Sequence, residues 1–120
     1  MSRADDVGAL IRGRREERRE TDRRFSVRQL AERVGVEPSY LSKVERGLVP
    51  PPSEDTLRRI AVELELDADV LLALAGKISS DLHAAIRRRP QLFSQLIREL
   101  NELPDHAVLR LVREVRDGDW

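Results

Sequence analysis

Between Ser26 and Gly47 the chain reads SVRQLAERVGVEPSYLSKVERG, two short amphipathic segments hinged at Gly35. Leu30, Ala31 and Val34 lie on one side of the hinge, and Val36, Leu41 and Val44 on the other. These residues are buried together only if two short helices cross steeply and share one apolar face. Ala31 and Gly35 stand where the axes approach and larger side chains would hold them apart. Leu41 and Val44 anchor the second segment to a core. The outer face of that segment, which begins at Pro38, is left free and has the shape that enters a DNA major groove. A plain helical hairpin inside a bundle has the same spacing, so spacing alone does not separate the two.

The flanks supply the rest of a helical head. A first helix is expected from about Asp5 to Glu20, with Val7, Leu10 and Ile11 facing inward. The charged run RRETDRR follows as a frayed end or solvated loop, and Phe25 anchors the chain. Ser26 is suited to cap the second helix, Gly35 to end it, and Pro38 to sit in the first turn of the third. After the stiff Pro50-Pro51-Pro52 connector, Ser53 opens a helix carrying Leu57, Ile60, Ala61 and Leu64. Asp67 opens a short fifth helix through Val70, Leu71 and Leu74 to Gly76. No segment has strand periodicity.

Beyond Lys77 the pattern changes. Ser79 or Ser80 begins a helix with Leu82 and Ile86. Pro90 opens another with Leu92, Phe93, Leu96, Ile97 and Leu100, and Pro104 a last one with Val108, Leu111, Val112 and Val115. The expected fold is all-α. Residues 1–76 would form a five-helix domain, and residues 77–120 a helical hairpin for dimerisation or partner binding. A lone hairpin cannot bury both stripes. Either they pack on the head or they pair with a second copy in a four-helix arrangement, which is the alternative favoured here.

Composition narrows the function. Aromatic residues are 3% of the chain, so the core must be built from Leu, Val, Ile and Ala. There is no cysteine, hence no disulfide frame, which fits an intracellular protein. The opening MSRADD has no apolar segment, and the longest apolar run, Val70 to Ala75, is too short to span a bilayer, so a cytoplasmic location is expected. The net charge is zero but unevenly placed: residues 1–49 carry twelve Lys/Arg against nine Asp/Glu, and residues 50–120 ten against thirteen. A basic front and an acidic back suit a DNA-facing head and a protein-facing tail. His83 and His106 are the only histidines, and there is no glycine-rich phosphate loop. No cofactor, metal or catalytic activity is therefore expected.

With its neighbouring segments, the motif resembles the phage-repressor (Cro and repressor-like, XRE) family of helix-turn-helix proteins. The matching residues are Ile11-Arg12, Ser26, Leu30-Ala31, Val34-Gly35-Val36, Tyr40-Leu41-Ser42, Val44-Glu45-Arg46-Gly47, the proline-containing loop, Leu57, Ile60-Ala61, Leu64 and Leu71. The match covers roughly Asp5 to Ala75. The resemblance implies a DNA-binding domain whose third helix, about Pro38 to Arg46, lies in the major groove. Base-reading positions of the family fall on Pro38, Ser39 and Lys43, with Ser42 alongside. Lys43 suits guanine O6 and N7, Ser39 can donate or accept, and Pro38 can touch a thymine methyl. Phosphate-contacting or positioning roles fall on Ser26, Arg28, Glu37, Tyr40 and Arg46, with a packing role open for Tyr40. In the family Glu45 pairs with an arginine of the first helix, for which Arg15 is the candidate and Arg14 the alternative.

The chain departs from the family pattern at four places, one of them a segment between Ile11 and Ser26 that is several residues longer than usual. Val27 replaces a common glutamine, Glu37 replaces a capping Ser or Thr, and LVPPP follows Gly47 in place of basic and polar residues. The longer segment between Ile11 and Ser26 offers Arg18, Arg19, Arg23 and Arg24 to phosphates. Those arginines can instead pair with Glu16, Glu17, Glu20 and Asp22 on a solvated helix end. The expected partner is double-stranded DNA, bound by a homodimeric regulator, most simply a repressor on an inverted-repeat operator. The rival expectations are an antitoxin that represses its own operon while its tail holds a toxin, and a protein-interaction adaptor that binds no DNA.

Overall fold

In the computed structural model, which describes residues 2–120, the chain begins with a reciprocal cap. The Ser2 hydroxyl accepts the Asp5 amide (3.1 Å) while the Asp5 carboxylate accepts the Ser2 amide (3.3 Å). Helix α1 therefore spans Arg3–Arg19 and starts two residues ahead of the expected Asp5. The cap sets the start because the first amides of a helix need acceptors wherever the inward stripe begins. A 3-10 turn, Arg23–Phe25, follows, with the Asp22 side chain accepting the Arg24 amide. RRETDRR is thus divided between an ordered helix end and a capped turn.

Four helices complete the head: α2 (Val27–Val34), α3 (Pro38–Glu45), α4 (Glu54–Leu64) and α5 (Ala68–Leu74). Ser26, Ser53 and Asp67 cap α2, α4 and α5 through their side chains. Gly35 takes the left-handed conformation (φ 87°) at the end of α2, and its amide and that of Val36 both donate to the Ala31 carbonyl, at 2.8 and 3.0 Å. Its backbone angle is what demands glycine. A Cβ there would meet only the Arg59 guanidinium, so close packing of α2 on α3 is not its constraint. That correction leaves Ala31, fully buried, as the close-approach residue of the pair.

The core is aliphatic. Val7 and Ile11 of α1, Leu30 and Val34 of α2, Leu41 and Val44 of α3, Leu57, Ile60 and Leu64 of α4, and Leu71 and Leu72 of α5 form one cluster with Phe25. Burying each large side chain stabilises the fold by about 1.5–3 kcal/mol. Polar ties close the ends. Arg14 Nε donates to the Leu64 carbonyl (3.0 Å), and Arg59 Nη1 donates to the Val34 carbonyl (2.7 Å).

The chain divides into two units after Ser79, itself buried. The second unit holds α6 (Ser80–Arg88), α7 (Pro90–Asn101) and α8 (Asp105–Asp117). It buries none of its side chains. Leu92 and Val115 are 65% and 64% exposed, and Leu96, Ile97, Leu111 and Val112 are exposed as well. Phe93, Leu100 and Val108 are half-buried. The described residues form no strand, and no helix among them is long and apolar enough to cross a membrane.

Candidate nucleic-acid interface

Helix α3 has two chemically distinct sides. Leu41 and Val44 point into the core. Ser39 and Lys43, four residues apart on the other side, are exposed, with Pro38 and Ser42 partly exposed at its margins. The Lys43 side chain has no hydrogen-bond or ion-pair partner among the described residues, so its ammonium is free for an external acceptor. Glu37 is exposed at the N-cap and makes no side-chain capping bond. With Pro38 in the first turn, the Ser39 and Tyr40 amides lie in the stretch where a helix offers free N–H groups to an anion.

Around α3, Arg28 and Arg23 are exposed, their guanidinium groups without partners among the described residues. Ser26 spends its hydroxyl on the Gln29 amide (3.2 Å). Arg46 is exposed, its Nε resting on the Ser42 carbonyl (3.3 Å). Tyr40 is half-buried against the core.

Arg24 is engaged locally. Its guanidinium grips Asp22 (Nη2 to Oδ2 2.8 Å, Nε to Oδ1 3.1 Å). Together with the Arg24 amide, this holds the Asp22 carboxyl at about 2, below its ordinary 3.8. Folding lowers this pKa, so the stabilisation is complete above about pH 4 and is lost as the pH falls toward 2. A carboxyl-detected NMR titration should find the Asp22 midpoint near 2, moving up in Arg24→Ala; a wild-type midpoint near 3.8 would show that the pair does not form in solution.

What holds α3 in place is a buried ion pair. Arg15 and Glu45 are 4% and 7% exposed. Arg15 Nε donates to Glu45 Oε2 at 2.6 Å, Nη2 donates to Oε1 at 2.8 Å, and Nη1 donates to the Phe25 carbonyl at 3.2 Å. The fork thus ties α1, α3 and the turn before α2 together, and bonding to Glu45 raises the Arg15 pKa further above its ordinary value. Arg14 turns elsewhere, to α4. Arg18 is also structural: its guanidinium lies 4.6 Å from the Phe25 ring centre, where that of Arg33 lies at 5.1 Å, and it pairs with Glu65 at 3.2 Å.

One positioning residue escaped the sequence. Gly8 of α1 lies against the C-terminal end of α3, where a Cβ would fall 2.4 Å from the Val44 carbonyl oxygen and 2.6 Å from that of Glu45. The available signal was a glycine in the interior of a helix, which normally costs stability and so calls for a packing reason.

A family model described as a helix-turn-helix domain matches residues 6–74, more than half of the chain. Two uncharacterized HTH-type transcriptional regulators of Mycobacterium tuberculosis, from strains CDC 1551 / Oshkosh and H37Rv, are each 44% identical over 80 residues. That alignment covers 67% of this chain and 53% of each relative, so the chain spans about half the length of those proteins. The HTH-type transcriptional regulator SlrR of Bacillus subtilis (strain 168) is 44% identical over 43 residues, 36% of this chain and 28% of SlrR. Among solved structures, the clp gene regulator ClgR of Corynebacterium glutamicum shares the fold with a TM-score of 0.52 at 23% identity, covering 81% of this chain and 92% of that one. The sequence motif, the helical head built around it and the match over residues 6–74 agree: the chain belongs to the XRE-like helix-turn-helix family of transcriptional regulators.

Proposed function

We propose that this chain is a sequence-specific, non-enzymatic DNA-binding repressor that acts as a homodimer on an inverted-repeat operator. The observation that carries the reading is the two-sidedness of α3, with Leu41 and Val44 in the core and Ser39 and Lys43 presented outward. In this scheme Pro38, Ser39, Ser42 and Lys43 read base edges. Ser26, Arg23, Arg28, Glu37, Tyr40 and Arg46 position the backbone, though Arg24 must leave Asp22 before it can contribute. The Arg15–Glu45 fork orients the reading helix. Residues 1–76 would act as the DNA-binding domain and residues 77–120 as the dimerisation region.

The unburied stripes of α7 and α8 support dimerisation. A unit of this size with no buried side chain lacks the core that stable small domains need, and a second copy supplies matching apolar faces. Two α3 helices would then meet successive major-groove faces about 34 Å apart.

Selection of bound fragments from random duplex DNA, with sedimentation of the free protein, tests this directly. The expected outcome is a dimer and a two-fold related motif with half-sites one helical turn apart. A monomer that enriches no sequence would refute it. In the enriched site, Lys43→Ala should relax preference at one base pair in each half-site and weaken binding by roughly 1–3 kcal/mol per half-site. Equal weakening on all duplexes would reassign Lys43 to phosphate.

A further inference from the structure

Many arginines of this protein pair with a nearby carboxylate, while others, among them Arg23, Arg28 and Arg98, have no ion-pair partner among the described residues. Arg12–Glu16, Arg58–Glu54, Arg59–Asp55 and Arg110–Glu114 pair at four-residue spacing, and Arg15, Arg18 and Arg33 find acids on other elements. Arg87, Arg88 and Arg89, at the junction of α6 and α7, are the chain's one run of three consecutive arginines. All three are exposed and have no ion-pair partner among the described residues. From Leu82 to Arg98 the chain has four arginines and not one Asp or Glu, so none of the three has an acid at helical spacing. From Glu99 to Trp120 the balance reverses, with six acids against three arginines.

A solvated helix end accounts for part of this, since cations are favoured in the last turn of a helix such as α6. It does not account for Arg89, which lies beyond α6 and precedes α7. Nor does it account for the recess of about 180 Å³ lined by Arg88 and Arg89 with Ala85 and Phe93. Three adjacent like charges create a local positive potential that favours an anion.

We infer that the Arg87-Arg88-Arg89 junction is a second, sequence-independent contact with the DNA phosphate backbone, additional to the contacts made around α3. The inference rests on the DNA-binding function proposed above. Guanidinium forks match phosphate oxygens, and duplex DNA presents phosphates densely enough for three neighbouring arginines. The site carries no base information. It adds affinity and salt dependence to every sequence alike.

The test uses the full chain and a mixed-sequence duplex, with affinity measured by fluorescence anisotropy across a salt series. Each phosphate neutralised contributes about 0.9 to the slope of log affinity against log salt. The combined R87Q, R88Q and R89Q variant should therefore lose roughly 2–3 from that slope per chain, and about twice that for a dimer, while preference for the selected operator over mixed sequence stays unchanged. Lysine at the same three positions should restore the slope, because a point charge suffices. The side chains are exposed, so the circular dichroism of all variants should match the wild type. A glutamine variant with the wild-type slope overturns the inference while leaving the function of α3 intact. The same slope with lost retention on a polyglutamate matrix also overturns it, by making the patch a site for acidic protein. A wild-type chain without salt-dependent DNA binding removes both proposals together.

Discussion

Glu45→Ala should destabilise the domain by roughly 3–5 kcal/mol, because it leaves the Arg15 guanidinium buried and unpaired. That is a large share of the total stability of a small domain, typically about 5–15 kcal/mol. The pair itself is not worth so much. Removing two charges from water offsets most of their attraction, and the asymmetry appears only when one partner is deleted. Glu45→Gln, which keeps an acceptor in the same place, should cost less. Denaturant unfolding of the three proteins checks the order: the midpoint should fall most in Glu45→Ala, with little change in slope. A cost below about 1 kcal/mol for Glu45→Ala would place the fork among solvent-exposed pairs. Because the fork also spans α1, α3 and the turn at Phe25, DNA affinity should drop in Glu45→Ala even where the chain remains folded.

The second large effect reverses an ordinary sign. Glycine to alanine within a helix usually adds about 0.5–1 kcal/mol, since alanine has less backbone freedom to lose. Gly13 of α1 should follow that rule, because a Cβ there meets nothing within 4 Å. Gly8, five residues earlier in the same helix, should not. Its Cβ would run into the carbonyl oxygens of Val44 and Glu45, which are main-chain atoms and cannot swing aside. Gly8→Ala must push α1 away from α3, at a cost of roughly 1–3 kcal/mol or more for overpacking a closed interface. Thermal melts of the two single variants form a matched pair, with Gly13→Ala rising and Gly8→Ala falling. If both variants rise, α1 does not seat on the end of α3 as described.

The all-helical class and the helix-turn-helix family were legible before any coordinates, and the reasons are local. Ser26, Gly35, Pro38, Ser53 and Asp67 each carry their own capping or stopping chemistry, and the apolar stripes between them repeat at helical period. Less of the site was legible. Arg18, Arg19, Arg23 and Arg24 look alike in a charged run, yet Arg18 stacks on Phe25 and pairs with Glu65, Arg24 is held by Asp22, and Arg23 is free. α4 ends at Glu65 in a left-handed conformation (φ 55°) that nothing in its side chain announces. Its amide donates to the carbonyls of Ala61 and Val62, and its carboxylate faces Arg18, so contacts from two helices offset the unfavourable backbone.

Helix positions, their caps and the inward stripes follow from residues within a turn or two of one another, where backbone geometry and solvent leave few choices. Choosing Arg15 over Arg14 as partner of Glu45 and seating Gly8 on the end of α3 depend on atoms thirty or more residues apart. Those outcomes are settled by three-dimensional packing, because a side chain's charge or size has consequences only once its distant neighbours are in place.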